Sequence, residues 1–306
     1  MLQLENEFLT VSIDETGAEL KSVKDKKTGK EYMWKGDKNV WGRVSPVLFP
    51  FVGRTVNAKF SFEGKEYPTT PHGFARDSHF TQGDISMTPY SPAKFTKEST
   101  LVLYLEDNDE TRKVYPFKFR LILLYHLSER TLTLRYIVNN LNDGKMYFSI
   151  GGHPGFTCPI NENAERRDSF IRFTLKDKPL EKIVSSDIDL STGFATDDKT
   201  EYELSDGNLI IYDDLFKKDA LVLENQQVDA ISLLDENKKA YVTVRFISPL
   251  VGVWSSLNKG ADFVCIEPWW GRCDHKNFTG TLEERPYGNV LEKCESFTTG
   301  FDIDFK

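Results

Sequence analysis

Apolar residues recur at every second position along most of this chain, and extended strands are the structures that bury a period of two. From Thr131 to Asn139, Leu132, Leu134, Tyr136 and Val138 fall on one side, with Thr131, Thr133, Arg135 and Asn139 on the other. Tyr241–Ile247 repeats the pattern, Val242, Val244 and Phe246 opposing Tyr241, Thr243 and Arg245. Leu101–Glu106 and Phe117–Leu127 behave alike, the second being nearly apolar on both sides in its middle. Roughly fifteen to twenty such segments can be read, separated by turn signals. Examples of those turns are Asn142-Asp143-Gly144, Ser205-Asp206-Gly207 and Asp235-Glu236-Asn237. Helical periodicity is confined to Asp109–Val114, stopped by Pro116, and to Glu162–Arg167. The polar interval Ser185–Asp206 reads as a loop with strand-like fragments.

No repeat, low-complexity tract or Pro/Ser-rich linker divides the 306 residues. All-β domains often run long, so residues 1–306 are expected to form one domain. Many short strands and few helices make a large all-β sandwich the expected architecture. The 39% of hydrophobic residues, with 22 Phe, 12 Tyr and 5 Trp, suffices for a large core.

The formal net charge is −8, and no basic run extends beyond pieces such as Lys24-Asp25-Lys26-Lys27. Binding a phosphodiester backbone needs a basic footprint, so nucleic acid is not an expected partner. The polar start Met1-Leu2-Gln3-Leu4-Glu5-Asn6-Glu7 does not resemble an export signal. No apolar run approaches the roughly 20 residues that span a bilayer, so no membrane segment is expected. Cys158, Cys265, Cys273 and Cys294 form no C-x-x-C pair. They read as reduced thiols, and a cytoplasmic protein is the expectation.

Nucleotide-binding glycine motifs, G-x-S-x-G and H-E-x-x-H are all missing from the sequence. Cys273-Asp274-His275 is metal-like in composition. Adjacent residues converge poorly on one ion, so neither a metal nor another cofactor is expected.

Five stretches set polar groups among glycine, proline and aromatic residues. They are Phe49–Arg54, Pro71–Arg76, Gly151–Phe156, Lys218–Leu223 and Cys265–Gly271. A histidine beside Gly and Pro, such as His153, is also what a turn residue looks like, and Arg54 has many acids to pair with. Glu267 follows the apolar Phe263-Val264-Cys265-Ile266 and precedes Trp269 and Trp270. A carboxylate so placed is expected to be partly desolvated, which raises its pKa and suits proton transfer. Either tryptophan could be a core residue, but an indole face also stacks on the C–H face of a sugar. Together the stretches suggest histidines, arginine and carboxylates gathered by loops on one rim of a β-scaffold.

As an ordered set these motifs resemble the aldose 1-epimerase (galactose mutarotase) superfamily, specifically its LacX-like branch. The resemblance also includes Ala18-Glu19-Leu20-Lys21-Ser22 and spans nearly the whole chain. It implies an all-β galactose-mutarotase-like β-supersandwich and cofactor-free interconversion of the α and β anomers of an aldohexose. Glu267 is similar to the family's general base, and His153 to its general acid. Arg54 and His72 resemble the pair that orients the sugar, Asp219 the carboxylate that grips ring hydroxyls, and Trp269 a stacking surface. His72-Gly73-Phe74-Ala75-Arg76 departs from the galactose mutarotases towards the hexose-6-phosphate epimerases of the same superfamily. Arg76 thus faces either a substrate phosphate or its neighbour Asp77. Cys294 stands where the superfamily often has glycine. The expected partner is a small sugar, either an aldohexose or its 6-phosphate. A non-catalytic sugar-binding protein and a glycoside hydrolase are the competing readings, the latter needing two suitably spaced carboxylates. Exposed edge strands are compatible with a monomer or a homodimer.

Overall fold

Two large antiparallel sheets hold most of the chain in the computed structural model, which describes residues 1–258 and 260–306. The ten-stranded sheet has Ser296–Phe305, Thr131–Asn140 and Phe119–Ser128 adjacent near its middle. The eight-stranded sheet runs Phe194–Glu203, Lys182–Asp189, Leu221–Glu224, Leu250–Trp254, Phe263–Trp270, Ile150–Gly152, Val47–Leu48. Gly155–Thr157 also pairs with Phe263–Trp270. A three-stranded sheet is built from Leu2–Glu5, Leu9–Ile13 and Leu20–Asp25.

Period-two patterning turns directly into layers. Leu132, Leu134, Tyr136 and Val138 join Leu221, Leu223, Val251, Val253, Val264 and Ile266 in one buried cluster. The inner faces of the two large sheets therefore pack on each other as an all-β sandwich. Burying each such aliphatic side chain stabilises the fold by roughly 1.5–3 kcal/mol relative to exposure. The eight-stranded sheet is covered on its outer face as well. Leu48, Val52, Val222, Leu250 and Trp269 form one outer cluster, and Trp34, Ala261, Phe263 and Cys265 another. The Phe263–Trp270 strand is thus buried along its whole length, Val264, Ile266 and Trp270 facing inward and Phe263, Cys265 and Trp269 outward.

Asp109–Val114 is a helix as the pattern predicts, capped by the Asn108 side chain on the Glu110 and Thr111 N–H groups. Glu162–Arg167 is not; only a 3₁₀ turn at Arg166–Asp168 forms. Asn161 and Asn163 favour turns over helix interiors, since their side chains compete for backbone groups. The Ser185–Asp206 interval is also corrected. Most of it is an antiparallel hairpin of Lys182–Asp189 and Phe194–Glu203, its register broken between Ser186 and Ile188. It looked loop-like because it ends the sheet and leaves Asp197, Asp198 and Lys199 in solvent. Among the described residues no helix is long and apolar enough to cross a membrane.

Asp25 ties the three-stranded sheet to the sandwich. Its carboxylate accepts from the Lys27 and Thr28 N–H groups and meets Arg130 Nη2 at 2.5 Å. The hydrogen bond from Arg130 outweighs the cost of burial and holds the Asp25 carboxyl down at about 2. A folded-state value below the unfolded one contributes stability that is present above the unfolded pKa and lost as pH falls through the folded one. Solvent around Arg130, whose side chain is 31% exposed, limits the gain to roughly 1–2 kcal/mol. Asp25→Asn is expected to lower unfolding free energy by that amount at neutral pH. The gap should close between about pH 4 and pH 2 in denaturant titrations of both proteins.

Candidate active site

Strand register creates the central pair of the site. Gly151 lies opposite Trp269, and Gly155 lies opposite Cys265. His153, midway between these two pairings, is therefore level with Glu267 on the neighbouring strand. Proline cannot donate to the ladder, and Pro154 interrupts pairing there, although its carbonyl still accepts from the Ile266 N–H at 3.2 Å. His153 Nε2 lies 3.2 Å from Glu267 Oε2, with side chains only 10% and 2% exposed. The two atoms are close without being aligned as a hydrogen bond, and Glu267 Oε2 and His153 Nδ1 are both buried without a hydrogen-bond partner.

The same strand supplies an aromatic surface. Gly252 lies across from Glu267 on the other flank. A Cβ at Gly252 would come within 2.6 Å of the Trp269 ring, and one at Gly151 within 2.6 Å of Trp269 Cδ1. Only bare backbone on both sides lets this indole lie against the sheet. Trp41 stacks on the His153 ring at 4.9 Å and 28°, and Trp254 meets that ring edge-on at 5.7 Å. The Trp41 segment is anchored by Glu19, a buried carboxylate accepting from the Val44 and Ser45 N–H groups at 2.6 and 2.9 Å.

Electrostatics follow from this burial. Desolvation pushes the Glu267 carboxyl well above its ordinary value, the Asp219 charge adds to the effect, and the Trp269 side chain opposes it. Desolvation pushes His153 well below its ordinary value, with smaller contributions from His72, Arg76 and Arg43. Both shifts act in the same sense, disfavouring the carboxylate and the imidazolium alike. His72 is held down to about 3 by burial and by Arg76, Arg54 and Arg43. Its Nδ1 accepts the Gly53 N–H at 3.2 Å, so a neutral ring carries its proton on Nε2 and can donate from there. His72 has φ +66°, and the following Gly73 has φ +71° with space for no Cβ, since one would meet the Phe49 carbonyl at 2.3 Å. Asp219 also has positive φ, and its carboxylate accepts the Ala220 N–H at 2.9 Å. Burial raises Asp219, while its own Ala220 N–H bond and Arg54 pull it down.

Of the residues singled out from sequence, His153, Glu267 and Trp269 share one sheet face, and His72 lies 5.7 Å from His153 between ring centroids. Arg54 is exposed and makes no side-chain ion pair among the described residues, yet its charge reaches His72 and Asp219. Arg76 Nε stands 3.7 Å from Asp77, so the loop-pairing reading holds in part. Asp77 also takes Arg43 Nη2 at 2.7 Å. Both arginines still act on the two histidines, and Arg76 Nε is buried without a hydrogen-bond partner. The expected gathering by loops holds for Arg54, His72 and His153 but is corrected for Glu267 and Trp269, which lie within the Phe263–Trp270 strand on the outer sheet face, roofed by the segments carrying Trp41 and His72. Trp41, Arg43 and Trp254 escaped the sequence reading, and Cys265 entered it only as a reduced thiol within one of the five stretches. Trp41-Gly42-Arg43 has the same aromatic, glycine and charge mixture as the five stretches, and that was its available signal.

Among the described residues, one group of three side chains has metal-ligand spacing: His153, Cys265 and Glu267, with ligand atoms within 4.8 Å of one another. Cys273-Asp274-His275 does not converge. Asp274 pairs with Arg285 at 2.8 Å and His275 faces Asp197 at 3.3 Å. A concavity of 1720 Å³ lies elsewhere, lined by Lys30, Glu31, Trp34, Arg166 and Glu236 among others. Arg166 there is already bonded to Ser255 and to the Ala261 carbonyl.

An antiparallel sandwich thus carries, on one sheet face, a buried carboxyl–imidazole pair, a second histidine and an aromatic floor. The sequence model of the aldose 1-epimerase family matches residues 1–280, and the chain belongs to that family. It is 29% identical to the plasmid LacX protein of Lactococcus lactis subsp. lactis over 99% of this chain and 95% of that one. Among solved structures it is similar to a galactose mutarotase related enzyme from Lactobacillus acidophilus, at 34% identity and TM-score 0.88, covering 100% of this chain and 97% of that one. A galactose mutarotase-like protein from Lactobacillus casei is 25% identical with TM-score 0.87, both chains being fully covered.

Gly252→Val tests the aromatic floor. The new side chain must displace Trp269, and overpacking of this kind costs roughly 1–3 kcal/mol. Thermal unfolding should register the loss, and near-ultraviolet circular dichroism should register the displaced indole.

Proposed function

We propose that this chain is an aldose 1-epimerase, interconverting the α and β anomers of an aldohexose with Glu267 as base and His153 as acid. The observation that carries the reading is the 3.2 Å approach of His153 Nε2 to Glu267 Oε2 in a buried site. Ring opening takes a proton from the anomeric hydroxyl and delivers one to the ring oxygen. Those two oxygens share one carbon, so base and acid must stand side by side.

Moving the pair's proton from Glu267 to His153 changes no net charge and so escapes most of the desolvation that opposes either ion alone. The resulting carboxylate takes the anomeric proton as the C1–O5 bond breaks, and the imidazolium protonates O5. The aldehyde turns about C1–C2, and closure on its other face runs the same transfers backwards. His72 donates from Nε2 to a sugar oxygen, Arg54 and Asp219 hold ring hydroxyls, and Trp269 with Trp41 provides faces for C–H groups. The protein of this reading is a cytoplasmic, single-domain enzyme that needs no cofactor.

A second reading, a hexose 6-phosphate as substrate, is favoured by the Arg43 and Arg76 guanidinium groups beside His72 and the unpartnered Arg76 Nε. Polarimetry of freshly dissolved α-aldoses separates the readings once the spontaneous rate is subtracted. Glu267→Gln and His153→Asn should each reduce kcat by about a hundredfold or more, as loss of a proton-transfer partner does. Acceleration that survives either change overturns the assignment. Arg76→Ala should leave kcat/KM for the free sugar within a few-fold under the first reading. Under the second, activity appears only with the 6-phosphate, and Arg76→Ala abolishes it.

A further inference from the structure

We propose that His153, Cys265 and Glu267 form an inhibitory site for a thiophilic divalent cation such as Zn²⁺ or Cd²⁺. Cys265 and Glu267 are two residues apart on one strand and so project to the same face, while register sets His153 across from Glu267. Their ligand atoms lie within 4.8 Å of one another, and the nitrogen–oxygen edge is already 3.2 Å. Tetrahedral zinc, with bonds of about 2.0–2.3 Å, needs edges of roughly 3.3–3.6 Å, within reach of modest side-chain rotation. Glu267 Oε2 is buried and lacks a hydrogen-bond partner, so the ligand set includes a polar atom that gains from a cation.

Charge balance favours the same occupant. A thiolate, a carboxylate and a neutral imidazole around a divalent ion sum to zero, which limits the penalty for burying it. Binding breaks the Cys265 S–H bond and the Glu267 O–H bond, forms metal–sulfur and metal–oxygen bonds, and releases both protons to the buffer. The imidazole contributes a ring-nitrogen lone pair. Three protein ligands leave a fourth position for water. The bound cation occupies the base and the acid together, so inhibition is competitive with the sugar. That inhibition rests on the epimerase reading; the binding itself does not.

The test uses chelator-treated full-length protein carrying Cys294→Ser, which removes the exposed thiol. CdCl₂ is titrated while ultraviolet thiolate-to-metal absorption, calorimetric affinity and proton release are followed, and ZnCl₂ is titrated against the mutarotation rate. Expected are one equivalent bound, the charge-transfer band, protons released, and inhibition reversed by chelator. Cys265→Ser should remove the band and weaken binding by at least about tenfold. Glu267→Gln keeps the side-chain volume and should weaken binding while retaining the band, which covers the case of a Cys265 variant that does not fold. A band and affinity unchanged by Cys265→Ser, or binding insensitive to Glu267→Gln, overturns the site. A protein that binds Cd²⁺ in this way yet accelerates no sugar refutes the epimerase reading and leaves the metal site standing.

Discussion

The fold and the candidate site both depend on burying the Phe263–Trp270 strand on its two faces. Inward, Val264, Ile266 and Trp270 are part of the sandwich core; outward, Cys265, Glu267 and Trp269 lie beneath a second layer. A surface carboxylate would have water to solvate it and an ordinary pKa. Glu267 has neither, because the core on one side and Trp41, Trp254 and Trp269 on the other exclude solvent. The chemistry available to the site is thus a consequence of how the sheet is sandwiched.

Much of this was legible in the sequence. Alternation at Thr131–Asn139 and Tyr241–Ile247 locates strands whose inward residues do face the core, because period two has a single geometric solution when one face is buried. The setting of Glu267, an apolar strand followed by tryptophans, already implied desolvation. Polar strands were harder. Phe194–Glu203 hides behind its exposed Asp197, Asp198 and Lys199, because it ends its sheet and needs few buried residues on the outside.

Pairwise geometry was not legible. That His153 falls level with Glu267 follows from the register of two strands more than a hundred residues apart in sequence, and no local pattern encodes it. Arg43 and Trp41 belong to a loop whose course depends on Glu19 gripping the Val44 and Ser45 amides, a contact visible only once the chain is folded. Arg76 had two readings in sequence; the structure shows a weak approach to Asp77 and a charge that also falls on both histidines, which neither reading included.

The contact of Trp269 with Gly151 and Gly252 has a consequence for how such a chain can vary. A larger residue at either glycine strikes the indole, and a smaller residue at 269 removes the ring that covers both glycines. The three positions, far apart in sequence, therefore behave as one unit of variation: change at one is tolerated only when the others change with it. Among related chains the floor of the site should be inherited whole or replaced whole.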